Sequence, residues 1–221
     1  MKKTAMLYLA VALLLAPCTK AQNTAPTDES VKIAQQLSKK IQAAKGVSTT
    51  FTFTLENIND SKTSTHRGEL LFKGNRYMLN LMGMETRFDG HTKWQYIAEA
   101  NEVTISTPDT NTSGEFWENP TAAFTSYSKD FKSKLRGELK IKNRTVYDLA
   151  FFPRNLNLPY SAITLHVDKE TLIPVMLKYH GKDGINYIIG IEQFKLNQTI
   201  ADDQFTFNPT LHKGIEIVDL R

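Results

Sequence analysis

The sequence predicts an α+β fold: an unclosed, strongly curved antiparallel β-barrel of about 11 strands, covered by an N-terminal helix and short mid-chain helices. Three observations predict it. Runs rich in Val, Ile, Thr, Tyr and Phe recur along most of the chain. Turn residues separate them by short connections, which makes neighbouring strands antiparallel. Helical periodicity is confined to two stretches, so the pattern is a meander rather than an alternation of strand and helix. A sheet of that size must close on itself or cover its inner face, and two helices are the cover available.

The elements follow in chain order. Residues 1–21 read as a signal peptide: Lys2 and Lys3 precede an uncharged run at 5–16 (AMLYLAVALLLA), and Thr19 and Ala21 give a small-x-small cleavage site. The run is too short to span a bilayer well. The expected mature protein begins at Gln22 and forms one domain, 22–221, exported to the periplasm and soluble there. Asp28 or Ser30 caps a helix reaching about residue 44, with Ile33, Leu37, Ile41 and Ala44 on one face and Gly46 as its stop. Phe51, Phe53 and Leu55 then alternate with Thr50, Thr52 and Thr54, as a half-buried strand requires. Further strands are expected near 64–73, 76–82, 84–88, 92–98, 101–107, 134–141, 145–151, 161–168, 172–180 and 185–195. Two segments interrupt them. In 107–131, Asn119 followed by Pro120 starts a helix over 122–131, and 153–159 is a loop with two prolines.

Charge and cysteine narrow the functional classes. The chain has 27 basic and 23 acidic residues, but Lys2, Lys3 and Lys20 lie in the signal segment, leaving 24 basic against 23 acidic, a net of +1. A near-neutral chain offers no electrostatic footing for nucleic acid. Cys18 is the sole cysteine and falls within the signal, so no disulfide, thiol nucleophile or thiolate metal site is expected after processing. Leu15-Ala16-Pro17-Cys18 half-resembles a lipobox, in which Cys18 would become an acylated N-terminus, although Pro17 stands where that motif takes a small flexible residue. The five histidines, His66, His91, His166, His180 and His212, show no metal-ligand spacing, and no nucleophile elbow, phosphate loop or dinucleotide fingerprint occurs. No enzyme activity, metal or cofactor is expected.

What stands out is apolar surface. Phe51, Phe53, Leu70, Phe72, Tyr77, Leu79, Leu81, Phe88, Trp94 and Tyr96 crowd one stretch of the meander. They form either ordinary sheet core beneath the helices or a concave wall that faces lipid; composition fits both.

Residues 68–106 supply a resemblance. Gly68-Glu69-Leu70-Leu71-Phe72-Lys73, then Asp89-Gly90-His91-Thr92-Lys93-Trp94-Gln95-Tyr96, then Glu102-Val103-Thr104 are similar to successive strands of the periplasmic outer-membrane lipoprotein carriers, the LolA family. The run from Thr164 to Val175 resembles that family's strand–turn–strand, and Asp203-Gln204-Phe205-Thr206-Phe207-Asn208-Pro209 with Gly214-Ile215-Glu216-Ile217-Val218-Asp219 resembles its closing segment. The resemblance covers most of the mature chain. It implies a helix-covered half-barrel that works as a monomer and holds the acyl chains of lipoproteins. It also implies loading by an inner-membrane lipoprotein-releasing transporter and delivery to an outer-membrane acceptor. Family members often follow the strand lysine with Arg-Pro, and that arginine helps hold a helical lid; here Lys73 is followed by Gly74-Asn75-Arg76. Arg76 is the candidate latch, or else a solvent-facing strand arginine. An outer-membrane-anchored acceptor, if Cys18 is acylated, and a periplasmic lipid-sensing regulator are the alternative functions of such a fold.

Overall fold

Two antiparallel meanders share one sheet in the computed structural model, which describes residues 28–108, 116, 118–125, 127 and 130–221. The first runs through β1 (Val47–Asn57), β2 (Lys62–Lys73), β3 (Arg76–Leu81), β4 (Met84–Phe88), β5 (Lys93–Ile97) and β6 (Glu102–Ser106). The second runs through β7 (Phe131–Ile141), β8 (Arg144–Pro153), β9 (Tyr160–Asp168), β10 (Pro174–Gly181) and β11 (Ile185–Lys195). Short turns enforce each hairpin. The meanders join where β1 pairs antiparallel with β11, from Ser48 opposite Lys195 to Asn57 opposite Ile185. A last strand, β12 (Glu216–Asp219), lies parallel to β6. The order β12-β6-β5-β4-β3-β2-β1-β11-β10-β9-β8-β7 leaves two edges unpaired with each other, so the curved sheet is an unclosed half-barrel.

The expected strands are present, with three differences. The sheet has 12 strands, because the closing segment adds β12. The mid-chain helix expected over 122–131 is a single turn, α2 (Ala122–Thr125), and Phe131 already belongs to β7, where it pairs with Pro153. Tertiary pairing along β8 overrides the local helical pattern there. The N-terminal helix α1 (Asp28–Gln42) ends two residues before Ala44. The expected signal peptide, its cleavage site and Cys18 lie outside the described residues. Among the described residues no helix is long and apolar enough to cross a membrane.

Strand alternation sends every second side chain inward. From β8 to β11 these are Leu149, Phe151, Ile163, Leu165, Val167, Leu177, Tyr179 and Ile189, all buried in one cluster with Ile33, Ala34, Leu37 and Ile41 of α1. The spacing of the α1 residues gives a single apolar stripe, and that stripe faces the sheet. Polar groups fix the helix in place: the Ser30 and Ser133 hydroxyls lie 2.9 Å apart, and the Ser38 hydroxyl donates to the Thr125 carbonyl at 2.8 Å. In the first meander the hairpin registers align three inward rows from β1 to β6. They read Val47–Phe72–Tyr77–Phe88–Lys93–Ser106, Thr49–Leu70–Leu79–Thr86–Gln95–Thr104 and Phe51–Gly68–Leu81–Met84–Ile97–Glu102.

Candidate functional site

The inner face of the first meander is plugged at one end and open at the other. At the plugged end, Phe116 and Phe124 descend onto the sheet. Phe116 meets Phe51 edge-on at 5.3 Å, and Phe124 stacks on Phe72 at 6.1 Å. The Tyr77 hydroxyl donates to the Glu118 carbonyl at 3.3 Å, and the Lys93 ammonium lies 3.4 Å from the Glu118 carboxylate. Burial, reinforced by the Glu118 charge, pushes the Tyr77 phenol well above its ordinary range, so it stays a neutral donor. Gly68 is needed here for space. A Cβ at that position would stand 2.3 Å from Cζ of Phe51, so the Phe51 ring rests on the bare glycine backbone across the strand pair.

Toward the other end the cover supplied by the described residues stops. Phe53 and Leu55 of β1, Leu79 and Leu81 of β3, Met84 and Thr86 of β4, Tyr187 of β11 and Met82 of the β3–β4 turn line an apolar cavity of about 260 Å³. Its rim is apolar and wet: Met82 is 56 % exposed, and Ile97, opposite Met84, is 42 % exposed. Met82 and Gly83 both have positive φ, at 54° and 79°, as a two-residue type I′ hairpin requires. Asn or Gly suits the first of those positions; a methionine there accepts backbone strain and exposes a thioether at the mouth of the cavity.

The ten predicted wall residues therefore divide. Phe53, Leu79 and Leu81 line the cavity. Phe51, Leu70, Phe72, Tyr77 and Phe88 face inward but are closed core at the plugged end. Trp94 and Tyr96 are the correction: their register partners are Arg87 and Glu85, which places both on the convex face, opposite the inward row through Lys93 and Gln95. Over Tyr96 the convex face has an apolar cover of its own. Tyr96 packs against Phe207 at 5.2 Å and His212 at 4.5 Å, and Phe205, Phe207, Val103 and Met78 are buried outside the inner cluster. Leu55, Met82, Met84, Thr86 and Tyr187 complete the cavity and were not among those ten, although Leu55 already stood with Phe53 on the apolar side of the first expected strand; the hairpin places Met84 opposite Leu81.

Arg76 is also placed differently from expectation. Its guanidinium lies 3.2 Å from Asp202 and 5.2 Å above the Phe205 ring, so it clasps the C-terminal segment rather than α1 or α2. Asp202 is held below the usual carboxylate range by hydrogen bonds from Lys73 first and Arg76 second. The grip on several backbone carbonyls falls to Arg87, whose Nη1 donates to the carbonyls of Asp203, Gln204 and Thr206 at 3.1–3.3 Å.

On the convex face His166 lies 3.3 Å from Asp148, and Thr164 Oγ1 is 2.9 Å from His180 Nε2. Arg136 donates to the same Thr164 oxygen at 3.1 Å, and Thr164 is only 6 % exposed, so its hydroxyl is engaged within this convex-face network. Among the described residues no group of His, Cys, Asp or Glu has metal-binding geometry.

The sequence profile of the outer membrane lipoprotein carrier protein LolA matches residues 42–208, the span from the end of α1 to the segment held by Arg87. The chain belongs to the LolA family. The half-barrel described above is thus a LolA-family fold, and the cavity lies on its concave wall. An uncharacterized conserved protein from Thermus thermophilus shares this fold at a TM-score of 0.59 and 13% identity, over 86% of this chain and 99% of that one. LprF from Mycobacterium bovis is similar at a TM-score of 0.47 and 13% identity, over 83% of this chain and 98% of its own. A LolA superfamily protein from Nitrosomonas europaea is similar at a TM-score of 0.41 and 13% identity, over 79% and 97%. No curated protein sequence matches.

Proposed function

We propose that this protein is a non-catalytic periplasmic carrier that shields the acyl chains of lipoproteins between the inner and outer membranes. The observation that carries the reading is the apolar cavity that the described residues leave open on the concave wall of a LolA-family half-barrel, rimmed by exposed Met82 and Ile97. Leaving this apolar wall open costs hydrophobic stabilisation, which a bound acyl chain would restore. Each methylene that enters releases roughly 0.8 kcal/mol in gross terms, so a few acyl chains would bind too tightly to leave without a coupled opening step. An inner-membrane releasing transporter loads the carrier and an outer-membrane acceptor empties it. Export with cleavage after Ala21 completes the proposal. An intact mass beginning at Gln22 supports it, and a diacylglyceryl adduct on Cys18 would turn the carrier into an anchored acceptor.

The test uses an environment-sensitive alkyl probe and two charged substitutions. The wild type is expected to bind the probe saturably. Met84→Glu, at the half-buried rim, is expected to abolish binding with little loss of stability, because the carboxylate stays hydrated. Leu79→Glu is a harsher variant, since Leu79 is 3 % exposed and belongs to the core cluster as well as to the cavity. Wild-type protein without saturable probe binding would end the carrier reading.

A further inference from the structure

The concave wall is not uniformly apolar, and its chemistry changes at a fixed place. In the central row, Leu70 and Leu79 are followed by Thr86, Gln95 and Thr104, which lie directly opposite one another on β4, β5 and β6. In the row nearer the mouth, Leu81, Met84 and Ile97 precede Glu102, and in the row nearer the plug, Phe88 precedes Lys93 and Ser106. Along the central row the wall is therefore greasy on β2 and β3 and hydrogen-bonding from β4 to β6, with the change at Thr86; in the row nearer the mouth, Ile97 keeps β5 apolar and the change comes at Glu102. Thr86 lines the cavity itself. Among the described residues the Gln95 amide finds one partner, the Met84 thioether at 3.6 Å, a weak acceptor. The Thr104 hydroxyl is turned toward Glu102 at 3.4 Å.

Resting on the carrier reading, we propose that the Thr86–Gln95–Thr104 row is the polar end of the ligand site and selects acyl chains that carry a neutral carbonyl linkage, an ester or an amide, over free fatty acids and plain alkyl chains. An acyl tail laid against Phe53, Leu55 and Leu79 brings its first carbonyl to the strands where donors begin. A hydroxyl and a primary amide supply donors to a carbonyl oxygen without carrying charge. Charge on this part of the wall opposes a free carboxylate: Glu102 ends one row, and Lys93, an inward cation, is already engaged by Glu118. A carboxylate brought here would lose hydration and meet like charge, whereas an ester loses little and gains a hydrogen bond.

The experiment compares three ligands of equal chain length, used below their micelle concentrations, as competitors for the alkyl probe. These are 1-monolauroylglycerol (ester), 1-O-dodecylglycerol (the ether, which lacks the carbonyl) and laurate. The wild type is expected to bind the ester about three- to tenfold more tightly than the ether, the worth of one hydrogen bond, with laurate no better than the ether. In Thr86→Val/Gln95→Leu the ester-to-ether ratio is expected to fall to about one while ether affinity is retained. The single variant Gln95→Leu, at a half-buried site, gives an intermediate ratio and serves if the double variant does not fold. Equal affinity of the wild type for ester and ether, or an undiminished ratio in folded variants, overturns this inference alone. Failure of all three ligands to displace the probe, or of the probe to bind, overturns it together with the carrier reading.

Discussion

Leu165 and Met84 point inward from strands of the same sheet, yet their surroundings differ. Leu165 of β9 is sealed in the cluster completed by α1, whereas Met84 of β4 lines an open cavity beside an exposed turn. The sheet is continuous between them; the cover is not. One half of the concave wall is spent on stability, and the other is left available. In this fold the boundary between core and site is set by where α1, Phe116 and Phe124 stop, not by any break in the strand pattern.

Breaking that contrast is the most direct test of it. Leu165→Glu buries an unpaired charge in the sealed half and is expected to cost several kcal/mol, enough to remove the cooperative urea transition. Met84→Glu should stay within about 1 kcal/mol of wild type in the same melt, because its rim position leaves the charge hydrated. Equal costs would mean that the two halves are packed alike. A smaller effect probes the plug. Gly68→Ala places a methyl where the Phe51 ring now lies, and overpacking of that kind costs about 1–3 kcal/mol, read as a lower urea midpoint at unchanged slope.

Acidity sharpens the comparison from the convex side. Burial, first among the causes, holds the imidazoles of His166 and His180 below their ordinary value of 6.5. Asp148 works against that shift at His166 while Arg136 adds to it; at His180, Lys178 and Arg136 add to it and Glu56 opposes. The fold thus resists protonation that the unfolded chain accepts. Stability should be complete above about pH 6.5 and decline as the pH falls through that value toward the lower folded ones. His166→Gln should flatten the decline, followed by thermal melts between pH 5 and 8. The smallest expected change is a gain. Met82→Asn suits the left-handed turn better and should add up to about 1 kcal/mol while weakening probe binding, since it removes an apolar lip of the cavity.

Much of the fold was legible because turns and alternation are local. The expected strand 84–88 coincides with β4, which lies between turns containing Gly83 and Gly90, and 185–195 coincides with β11, which starts after the Asp183-Gly184 turn and ends before Asn197, so local turns leave the chain little choice. The faces were harder. Trp94 and Tyr96 carry the aromatic character of an inner wall, but the register through Leu81–Met84 and Phe88–Lys93 sends them outward. Hydrophobicity could not reveal this, because the segment with Phe205 and Phe207 makes the convex face apolar too. Counting parity through the hairpins would have done so. β12 was illegible as a strand for another reason: its partner β6 is parallel and distant in sequence, so no hairpin turn announces it. The cavity is defined by where the described residues leave the concave wall open, a property of tertiary packing that no local pattern encodes.

The seam between β1 and β11 has a kinetic consequence. Ser48 meets Lys195, so β1 cannot find its second neighbour until β2 to β10 have all been made. Until then each meander presents a long unsatisfied edge, and closing the loop between them must precede any reward from the contacts it brings. Such a topology folds slowly and only as a whole, on the millisecond-to-second scale typical of non-local β pairing. Slowness is ordinarily a liability, since open edges invite pairing with other chains. For a polypeptide that, on the proposed export route, must thread a secretion channel before folding, it is instead a period of grace, during which the chain remains extended enough to pass.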